Sequence, residues 1–200
     1  GWTLISADWS QIELRVLAHF SKDPRLVAAF RDEIDLHRVT AAELYDVAES
    51  DVTGEQRNVG KTVNFATIYG QGATALGQQL GMTRNEAKKM IDRYFELYAG
   101  VRKWLDETVA VAHESGQVST ILGRKRYIPE LSSNNFSDRA YGERIAANTP
   151  IQGSAADICK LAMLEINRRF KAADFEAQMI LQIHDELLIE APEHEVESAT

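Results

Sequence analysis

Cysteine is almost absent from this sequence, in which Cys159 is the only one among 200 residues. A single cysteine excludes an internal disulfide, and its position in an apolar helical pattern predicts a small buried side chain. This scarcity is typical of a reducing compartment, so we expect a cytoplasmic protein. Long apolar runs are lacking too. None approaches the roughly 18 residues that span a bilayer, so we expect no membrane partner.

Proline is scarce as well, and the chain carries a net negative charge. None of the four prolines lies between Pro24 and Pro129, and residues 24–115 predict nearly continuous helix, broken by short turns at glycines that include Gly100. The formal net charge of −8 argues by itself against nucleic acid as a partner. Basic residues nevertheless collect in the middle third, where the cluster 124–126 is either a solvated turn or a phosphate contact.

The length of the chain allows one large domain or two small ones. An apolar content of 44% is typical of a globular fold. The sequence opens on Gly1 and stops at Thr200 inside a helix-like run. We therefore expect a fragment, truncated at both ends, whose net charge need not be that of its parent protein.

Strand patterns occur near the two ends of the chain. Residues 2–8 alternate as a short buried strand, and Ser10 with Glu13 predicts a capping box for the helix that follows. Residues 178–190 predict two strands joined by a tight turn at Asp185-Glu186. Two adjacent acids are a poor choice for such a turn, which indicates selection for charge rather than for geometry.

The second half of the chain also predicts a hairpin and two helices. Residues 117–128 predict a β-hairpin with Gly123 in its turn. Helices are predicted over 138–147 and 154–171, separated by an interruption at Asn148-Thr149-Pro150, because proline disfavours helix in the residue before it.

A cation–aromatic stripe, formed by Arg57, Lys61, Phe65 and Tyr69, is the most informative pattern in the chain. A capping box at Thr53 begins its helix. Four residues advance an α-helix by about 6 Å and overshoot one turn by about 40°, so the stripe winds slowly over roughly 18 Å. Cations towards one end and rings towards the other suit a ligand with phosphates and a flat base, such as a nucleoside triphosphate.

The alternative is that the stripe is the buried face of an amphipathic helix. Arginine and lysine are seldom buried without a partner, which argues against this alternative. A second face of the same helix is available for packing instead, and it is formed by Val59, Val63, Ala66 and Thr67.

Two separated acids occupy similar local contexts. Asp8 closes the first strand and Asp185 lies in the last hairpin, so both could meet at one edge of a sheet. The two carboxylates would repel each other unless a cation lay between them. Mg²⁺ prefers oxygen ligands, and two such ions can stabilise the attacking and leaving oxygens of an in-line phosphoryl displacement. Together with the stripe, these acids indicate nucleotidyl transfer.

Three stretches in this order resemble motifs A, B and C of the family A DNA polymerases, the DNA polymerase I type. They are DWSQIELR (8–15), RNVGKTVNFATIYG (57–70) and HDE (184–186). The intervening segments 35–45, 123–131 and 151–163 are also similar to sequences of this family. The resemblance covers nearly the whole chain, and the three motifs together are far more specific than HDE alone.

The resemblance implies roles for individual residues. Asp8 and Asp185 would bind two catalytic Mg²⁺ ions, and Glu186 would support that metal site. Lys61 would help to hold the triphosphate, and it is the fourth candidate catalytic residue beside these three acids. The implied nucleotide-binding residues are Gln11, Glu13, His37, Arg57, Lys61, Phe65 and Tyr69, and the implied DNA-binding residues are Arg144, Asn148, Gln152 and His184.

Two of these residues also have ordinary structural explanations. Glu13 would be a steric gate that crowds a ribose 2′-OH, but as a capping residue it could simply satisfy a backbone N–H. His37 lies in the first turn of a helix capped by Asp35. A lone histidine at such a position is more often structural or solvated than functional.

The resemblance further implies an α+β fold of the right-hand polymerase type. A palm with a small antiparallel sheet would comprise residues 1–22 and 129–200, with the motif C hairpin at about 178–190. A helical fingers insert would comprise residues 23–128, with the motif B helix at about 54–69.

The implied activity is that of a DNA-directed DNA polymerase in replication or repair. It would add dNMP to a primer 3′ end and release pyrophosphate. Its partners would be primer–template DNA and deoxynucleoside triphosphates, and it would act as a monomer in the bacterial cytoplasm or nucleoid, or be phage-encoded in a host cell. The isolated fragment is expected to be inactive.

Two residues depart from the family pattern. Trp9 stands where motif A commonly has Tyr, and Ala66 stands where motif B often has Gly.

Three alternative functions stay open. A single-subunit RNA polymerase uses a similar palm, but Glu13 argues against it. Intact Asp8 and Asp185 argue against a non-catalytic DNA-binding remnant. A two-metal nuclease would explain the acids but not the stripe.

Overall fold

A computed structural model describes residues 1–200. Strands near the two ends of the chain form a three-stranded sheet, and the residues between them form helices and one short hairpin. The strands are β1 (Trp2–Asp8), β2 (Gln117–Ser119), β3 (Lys125–Tyr127), β4 (Gln178–Ile183) and β5 (Glu186–Pro192). The helices are α1 (Ile12–Ser21), α2 (Pro24–Arg31), α3 (Leu36–Tyr45), α4 (Gly54–Ile68), α5 (Ala73–Leu80), α6 (Arg84–Leu97), α7 (Ala99–Ser115), α8 (Phe136–Ala172) and α9 (Val196–Ala199). Short 3₁₀ turns occupy Glu49–Asp51 and Pro129–Ser132. The predicted α+β class is confirmed.

The chain divides into two compact units. The first comprises 1–14 and 152–200, and the second comprises 15–151. These bounds follow backbone contacts, and they give the second unit a wider range than the predicted fingers insert, 23–128. The palm and fingers bounds themselves stay a prediction. None of the helices is both long enough and apolar enough to cross a membrane.

The first unit is built on a three-stranded antiparallel sheet in the order β1-β5-β4. Its central strand, β5, buries alternate residues, Leu187, Ile189 and Ala191, because successive side chains of a strand point to opposite faces. Phe170 and Phe175 are among the apolar residues that pack against this face. The expectation that residues 2–8 form a buried strand is half right. The strand is present, but it is an edge strand and most of its residues are exposed.

In the second unit, α3 and α4 pack with their backbones close together. A Cβ on Gly60 of α4 would collide with the carbonyl oxygen of His37 on α3, so this contact requires glycine as the two helices are placed. Val63 and Ala66 of α4 are buried, as are Thr67 and Ile68. The face predicted for packing is therefore the one that packs, and the stripe is left on the other side of the helix.

Helix α4 begins at the predicted capping box and ends just before Gly70. At the start, the Thr53 hydroxyl accepts from the N–H of Gln56, and the Gln56 side chain accepts from the N–H of Thr53. At the end, Gly70 has a positive φ of 64°. The N–H groups of Gly70 and Gln71 donate to the carbonyls of Thr67 and Ala66 at 3.2 and 2.8 Å, which is the Schellman arrangement.

The predicted break at Gly100 is wrong, because α7 already begins at Ala99 and the chain turns at Tyr98 instead. Gly100 lies in the first turn of α7, where its N–H donates to Asp23 Oδ2 at 2.9 Å. A Cβ at this position would lie 2.9 Å from the Cα of Asp23. The glycine is therefore explained by this close approach to Asp23 and not by a break in the helix.

The predicted interruption at 148–150 is also wrong. Helix α8 continues through Pro150 from Phe136 to Ala172. An internal proline removes a single backbone donor. Ala146 and Ile151 are fully buried on either side of it, so tertiary packing overrides the local preference of proline. The hairpin predicted over 117–128 is confirmed as β2 and β3, with Gly123 in the turn at a φ of 79°.

The start of α1 differs by one residue from the prediction. A capping box at Ser10 would begin the helix at Gln11, whereas α1 begins at Ile12. Gln11 has a φ of 56° and so cannot be its first helical residue. Glu13 lies in the first turn of α1.

Candidate active site

The pairing of β1 with β5 brings the predicted acids to one end of the sheet. Asp8, the last residue of β1, pairs with Glu186, the first residue of β5. The N–H of Trp9 donates to the carbonyl oxygen of Asp185 at 3.1 Å. Asp8, Asp185 and Glu186 therefore belong to the same end of the first unit, although 177 positions separate the two aspartates in the sequence.

The turn that carries Asp185 is formed by His184 and Asp185, not by Asp185 and Glu186 as predicted. Ile183 pairs with Glu186, which leaves two residues in the turn. His184 has a φ of 54°, and a positive φ in the turn matches the twist of a two-residue hairpin. Moving the turn by one residue places Glu186 in β5, where the Ser6 hydroxyl donates to its Oε1.

Gln182 and Cys159 brace this turn. The Gln182 side-chain amide donates to the carbonyl oxygen of His184 at 3.0 Å and approaches Cys159 Sγ at 3.4 Å. Cys159 is buried, as predicted, and burial together with the charge of Asp185 raises the pKa of its thiol. The thiol therefore stays protonated and serves as a packing group beside the acids.

Asp8 and Asp185 fit a hard divalent cation. Their oxygen atoms are the ligands that Mg²⁺ prefers, and neither carboxylate pairs with a lysine or an arginine. Asp8 is exposed and Asp185 is half-buried, which leaves room for water or substrate oxygens. Like charges at one end of a sheet, without basic partners, favour a bound cation.

A second group of possible ligand atoms lies elsewhere in the same unit. Atoms of Glu176, His194 and Glu195 lie within 4.8 Å of one another. Glu195, however, already accepts from the N–H groups of Glu176 and Ala177 at 3.1 and 3.0 Å. This group follows the end of β5 opposite to Glu186, so it is separate from the candidate site.

The cation–aromatic stripe is accessible along α4. Arg57 and Phe65 are half-buried, and Lys61 and Tyr69 are exposed. The rings of Phe65 and Tyr69 lie 6.2 Å apart between centroids, with planes inclined by 24°. The stripe is thus not the packing face of the helix.

Arg57 is paired with the residue that caps α3. Its Nε donates to Asp35 Oδ2 at 2.6 Å, while Asp35 Oδ1 accepts from the N–H groups of His37 and Arg38. Burial acts to raise the pKa of Asp35, but the hydrogen bonds from Arg57 and from the Arg38 N–H outweigh it and hold the pKa below its ordinary value. Asp35 therefore stays ionised and orients the guanidinium of Arg57.

His37 lies behind the stripe and is only 3% exposed. Its ring centroid is 5.9 Å from that of Phe65, and its Nδ1 lies 2.9 Å from the side-chain nitrogen of Asn64. Burial lowers the pKa of His37, and the positive charges of Arg57 and Lys61 lower it further, against the opposing effect of Asp35. His37 is therefore a neutral group beside two cations.

The remaining predicted residues are spread over both units. In the first, Gln152 and His184 are exposed, and Glu13 and Gln11 are half-buried. Gln11 Oε1 is buried without a hydrogen-bond partner.

In the second unit, Asn148 and Arg144 contact the end of α4. Asn148 Nδ2 donates to the carbonyl oxygen of Tyr69 at 3.2 Å, and Asn148 Oδ1 is buried without a partner. Arg144 Cγ would lie 3.2 Å from a Cβ on Gly70.

The family model described as DNA polymerase family A matches residues 1–200. The chain belongs to DNA polymerase family A.

Curated relatives of this family A chain include bacterial polymerases. It is 48% identical over 196 residues to DNA polymerase I of Bacillus subtilis (strain 168), a match that covers 98% of the chain and 22% of the relative. It is 47% identical over 197 residues to DNA polymerase I of Pseudomonas aeruginosa, again covering 98% of the chain and 22% of the relative. The chain thus spans about a fifth of the length of the curated relatives that it matches.

A solved structure shares the fold. It is described as the POL domain of Pol1 from M. smegmatis in complex with DNA primer-template and dNTP. The match has a TM-score of 0.94 and 43% identity, and it covers 98% of this chain and 35% of that one. The polymerase fold predicted from the three motifs is confirmed.

Several residues around the site of this family A chain escaped the sequence analysis. Asp35 was expected only as a helix cap, and no motif pointed to Gln182 or Ser6. Asn64 and Thr40 are fully buried polar residues. Asn64 carried one usable signal, since it interrupts the apolar face of α4 with a side chain that must find a partner when buried.

Proposed function

We propose that this chain is part of a DNA-directed DNA polymerase, which adds dNMP to a primer 3′ end and releases pyrophosphate. The observation that carries the proposal is the meeting of Asp8, Asp185 and Glu186 at one end of the sheet in a family A chain. The M. smegmatis POL domain of the same fold is in complex with DNA primer-template and dNTP, which supports the same partners here.

Asp8 and Asp185 are proposed to hold two Mg²⁺ ions, and Glu186 to support them. The ions supply charge stabilisation for the attacking and leaving oxygens of an in-line displacement. The hydrogen bond from Ser6 holds the Glu186 carboxylate, and Gln182 holds the turn that carries Asp185. Both acids thus start from restrained positions, which reduces the reorganisation needed during the reaction.

The stripe on α4 is proposed to bind the triphosphate and the base of the incoming nucleotide. Lys61 is an exposed point charge, whereas Arg57 is oriented by Asp35 and retains its outer guanidinium nitrogens for a phosphate. His37 adds a neutral donor beside these cations. Phe65 and Tyr69 offer ring faces to the sugar and the base, or to the templating position.

The other proposed ligand contacts are with the nucleotide sugar and the DNA. Glu13 would crowd a ribose 2′-OH, and Gln11 would lie near the nucleotide. Gln11 Oε1 and Asn148 Oδ1 are buried acceptors without a donor in the chain, so a ligand N–H or a water would satisfy each of them. Contacts to primer–template DNA are proposed for Arg144, Asn148, Gln152 and His184.

The setting of the proposed enzyme follows its relatives. Bacterial DNA polymerase I sequences are among the matches, so we propose a monomeric enzyme of replication or repair in the bacterial cytoplasm. Residues 1–22 and 129–200 are proposed as its palm and residues 23–128 as its fingers.

The proposal is tested by single-nucleotide primer extension with the full-length protein in which this chain occurs. Extension is expected with Mg²⁺ and dNTPs and not with NTPs. Asp185→Asn keeps the shape of the side chain but removes its charge, and it is expected to abolish extension. Asp106→Asn is the matched control, because Asp106 is an exposed acid in a surface pair with Arg102 and its loss is expected to leave the rate unchanged.

Three results would contradict the proposal. Extension that survives in Asp185→Asn would remove the metal role of the hairpin acid. No extension by the wild type, with primer–template still bound, would make the chain a DNA-binding remnant. Extension with NTPs as efficient as with dNTPs would contradict the role of Glu13 as a gate and favour an RNA polymerase.

A further inference from the structure

A buried chain of polar side chains runs from the core of the second unit to His37. Thr40 Oγ1 lies 3.1 Å from the hydroxyl of Tyr98 and 2.9 Å from Asn64 Oδ1. Asn64 Nδ2 in turn lies 2.9 Å from His37 Nδ1. Thr40 and Asn64 are fully buried, so every polar atom of this polar chain must be satisfied inside the protein.

We propose that Asn64, oriented by Thr40, is a positioning residue that keeps the proton of neutral His37 on Nε2. With its proton on Nε2, His37 offers an N–H donor to the triphosphate, and this consequence rests on the proposed function. The proposal goes beyond that function because it assigns a role to Asn64 and Thr40, neither of which is among the site residues that the resemblance to the family implies.

The structure places the amide oxygen of Asn64 beside Thr40 and its amide nitrogen beside His37. Burial raises the pKa of Tyr98 to about 12, so its hydroxyl keeps its proton and can donate to Thr40. The Thr40 hydroxyl lies 2.9 Å from Asn64 Oδ1 and also 2.9 Å from the carbonyl oxygen of Leu36, so these two acceptors share its one proton. The amide oxygen of Asn64 thus faces Thr40, and the amide nitrogen lies towards His37. An amide nitrogen only donates, so His37 Nδ1 must accept and the proton of the neutral ring lies on Nε2.

The opposite orientation of the Asn64 amide has a distinct consequence. Its nitrogen would then donate to Thr40, its oxygen would accept from a proton on His37 Nδ1, and Nε2 would be a bare acceptor. A bare acceptor does not bind a phosphate oxygen. The two arrangements therefore differ in where the ring carries its proton, and that location can be measured.

The surroundings of the ring keep it neutral. His37 is buried, Arg57 and Lys61 repel a proton, and Asp35 is the one acid that attracts it. Nε2 has no hydrogen-bond partner within the chain, so it is the ring nitrogen left for a ligand.

The first test is a direct measurement of the tautomer in the full-length protein, with ring-¹⁵N histidine and magic-angle-spinning NMR. His37→Gln identifies the signal by difference, since this chain alone has five histidines. At a pH where His37 is neutral, the wild type is expected to carry the proton on Nε2. Asn64→Asp, which keeps the shape but can only accept, is expected to move the proton to Nδ1.

Two control variants accompany this measurement. Asn58→Asp makes the same substitution on an exposed position of α4 and is expected to leave the tautomer unchanged. If Asn64→Asp does not fold, Thr40→Val replaces it, and the loss of the orienting hydroxyl is expected to produce a measurable Nδ1–H population. A proton on Nδ1 in the wild type, or a tautomer unchanged in the Asn64 and Thr40 variants, would overturn the proposal.

The second test is a kinetic cycle in the primer-extension assay. Asn64→Asp and His37→Gln are each expected to raise the KM for dNTP by about tenfold, the effect of one lost hydrogen bond, with the affinity for primer–template unchanged. Because Asn64 acts through His37, the double variant is expected to be no worse than His37→Gln alone. Additive effects would contradict the positioning role.

The two tests separate this proposal from the proposed function. A wild type that shows no primer extension would refute the polymerase assignment, whereas the NMR measurement would still decide the tautomer. An Nδ1–H tautomer in an active polymerase would refute only the role of Asn64.

Discussion

Asp23 is a buried carboxylate that satisfies backbone donors of two helices. Its Oδ1 accepts from the N–H groups of Arg25 and Leu26 at the start of α2, and its Oδ2 accepts from the N–H of Gly100 at the start of α7. The first contact is local, because Asp followed by Pro is a common helix start. The second contact joins residues 77 positions apart, and only the tertiary structure reveals it.

Asp23→Ala is expected to lower the free energy of unfolding by about 2–4 kcal/mol, the sum of a lost cap and a buried N–H left unsatisfied. The measurement is urea unfolding followed by circular dichroism. Asp32→Ala is the matched control at the other end of α2, where the acid pairs only with the neighbouring Arg31 on the surface. Equal destabilisation by both variants would show that the contact with Gly100 contributes nothing.

His37 is expected to make stability depend on pH. Its pKa in the folded protein is lowered, whereas in the unfolded chain it is about 6.5. As pH falls below about 6.5, His37 therefore becomes protonated in the unfolded chain while it stays neutral in the folded protein. The free energy of unfolding then falls by at most about 1.4 kcal/mol per pH unit. His37→Gln is expected to flatten this dependence between pH 6.5 and the lower pKa of the folded state.

The measurement is a series of urea titrations across that pH range. The contribution of Asp35 lies in another window. Its pKa is lowered in the folded state, so its stabilisation is present above about pH 4 and is lost as pH falls through the lowered value. Parallel curves for wild type and His37→Gln as pH falls below about 6.5 would contradict the burial of a neutral His37.

At the scale of elements, α4 is a short helix with strong signals at both ends. Its capping box and its Schellman end set its length, and its packing face sets its rotation against α3. The stripe is therefore positioned by features that do not touch a ligand. Helix α8 shows the opposite situation, because its local proline signal is overridden by the burial of the residues around it.

Thr53→Ala is expected to destabilise α4 by about 1 kcal/mol, because it leaves the N–H of Gln56 without its cap. Hydrogen exchange of the amides in the first turn of α4 measures this directly, and urea unfolding measures the global part. Thr53→Ser keeps the hydroxyl and is expected to behave as the wild type. Faster exchange in the serine variant, to the level of the alanine variant, would contradict the capping explanation.

At the scale of the whole molecule, the chain contains many candidate site residues but is short beside its relatives. It spans about a fifth of their length and carries a net charge of −8. A protein gains affinity for DNA from the phosphates that its basic residues neutralise, so a net negative chain starts with little general attraction.

The 200-residue chain by itself is therefore expected to extend primers at a rate near zero, whereas the full-length protein is expected to extend them. Fluorescence anisotropy with labelled primer–template, beside the extension assay, separates weak binding from lost chemistry. Robust extension by the short chain would show that it contains everything the reaction needs.

Local sequence patterns by themselves pointed to the cation–aromatic stripe and the two aspartates, and the resemblance to the family added the other candidate site residues. The four-residue repeat from Arg57 to Tyr69, the capping box of α4, and the acids near two strand ends are local patterns, and local patterns depend only on the geometry of one helix or strand. The motif order then identified the family and its fold.

Tertiary structure alone decided how those groups are held. The pairing of Asp8 with Glu186, the ion pair between Asp35 and Arg57, and the polar chain behind His37 join residues that are 22 or more positions apart. The break at Tyr98 and the continuity of α8 through Pro150 likewise depend on neighbours that are distant in the sequence. A buried polar or charged group is stable only with a partner, and folding, rather than local propensity, supplies that partner.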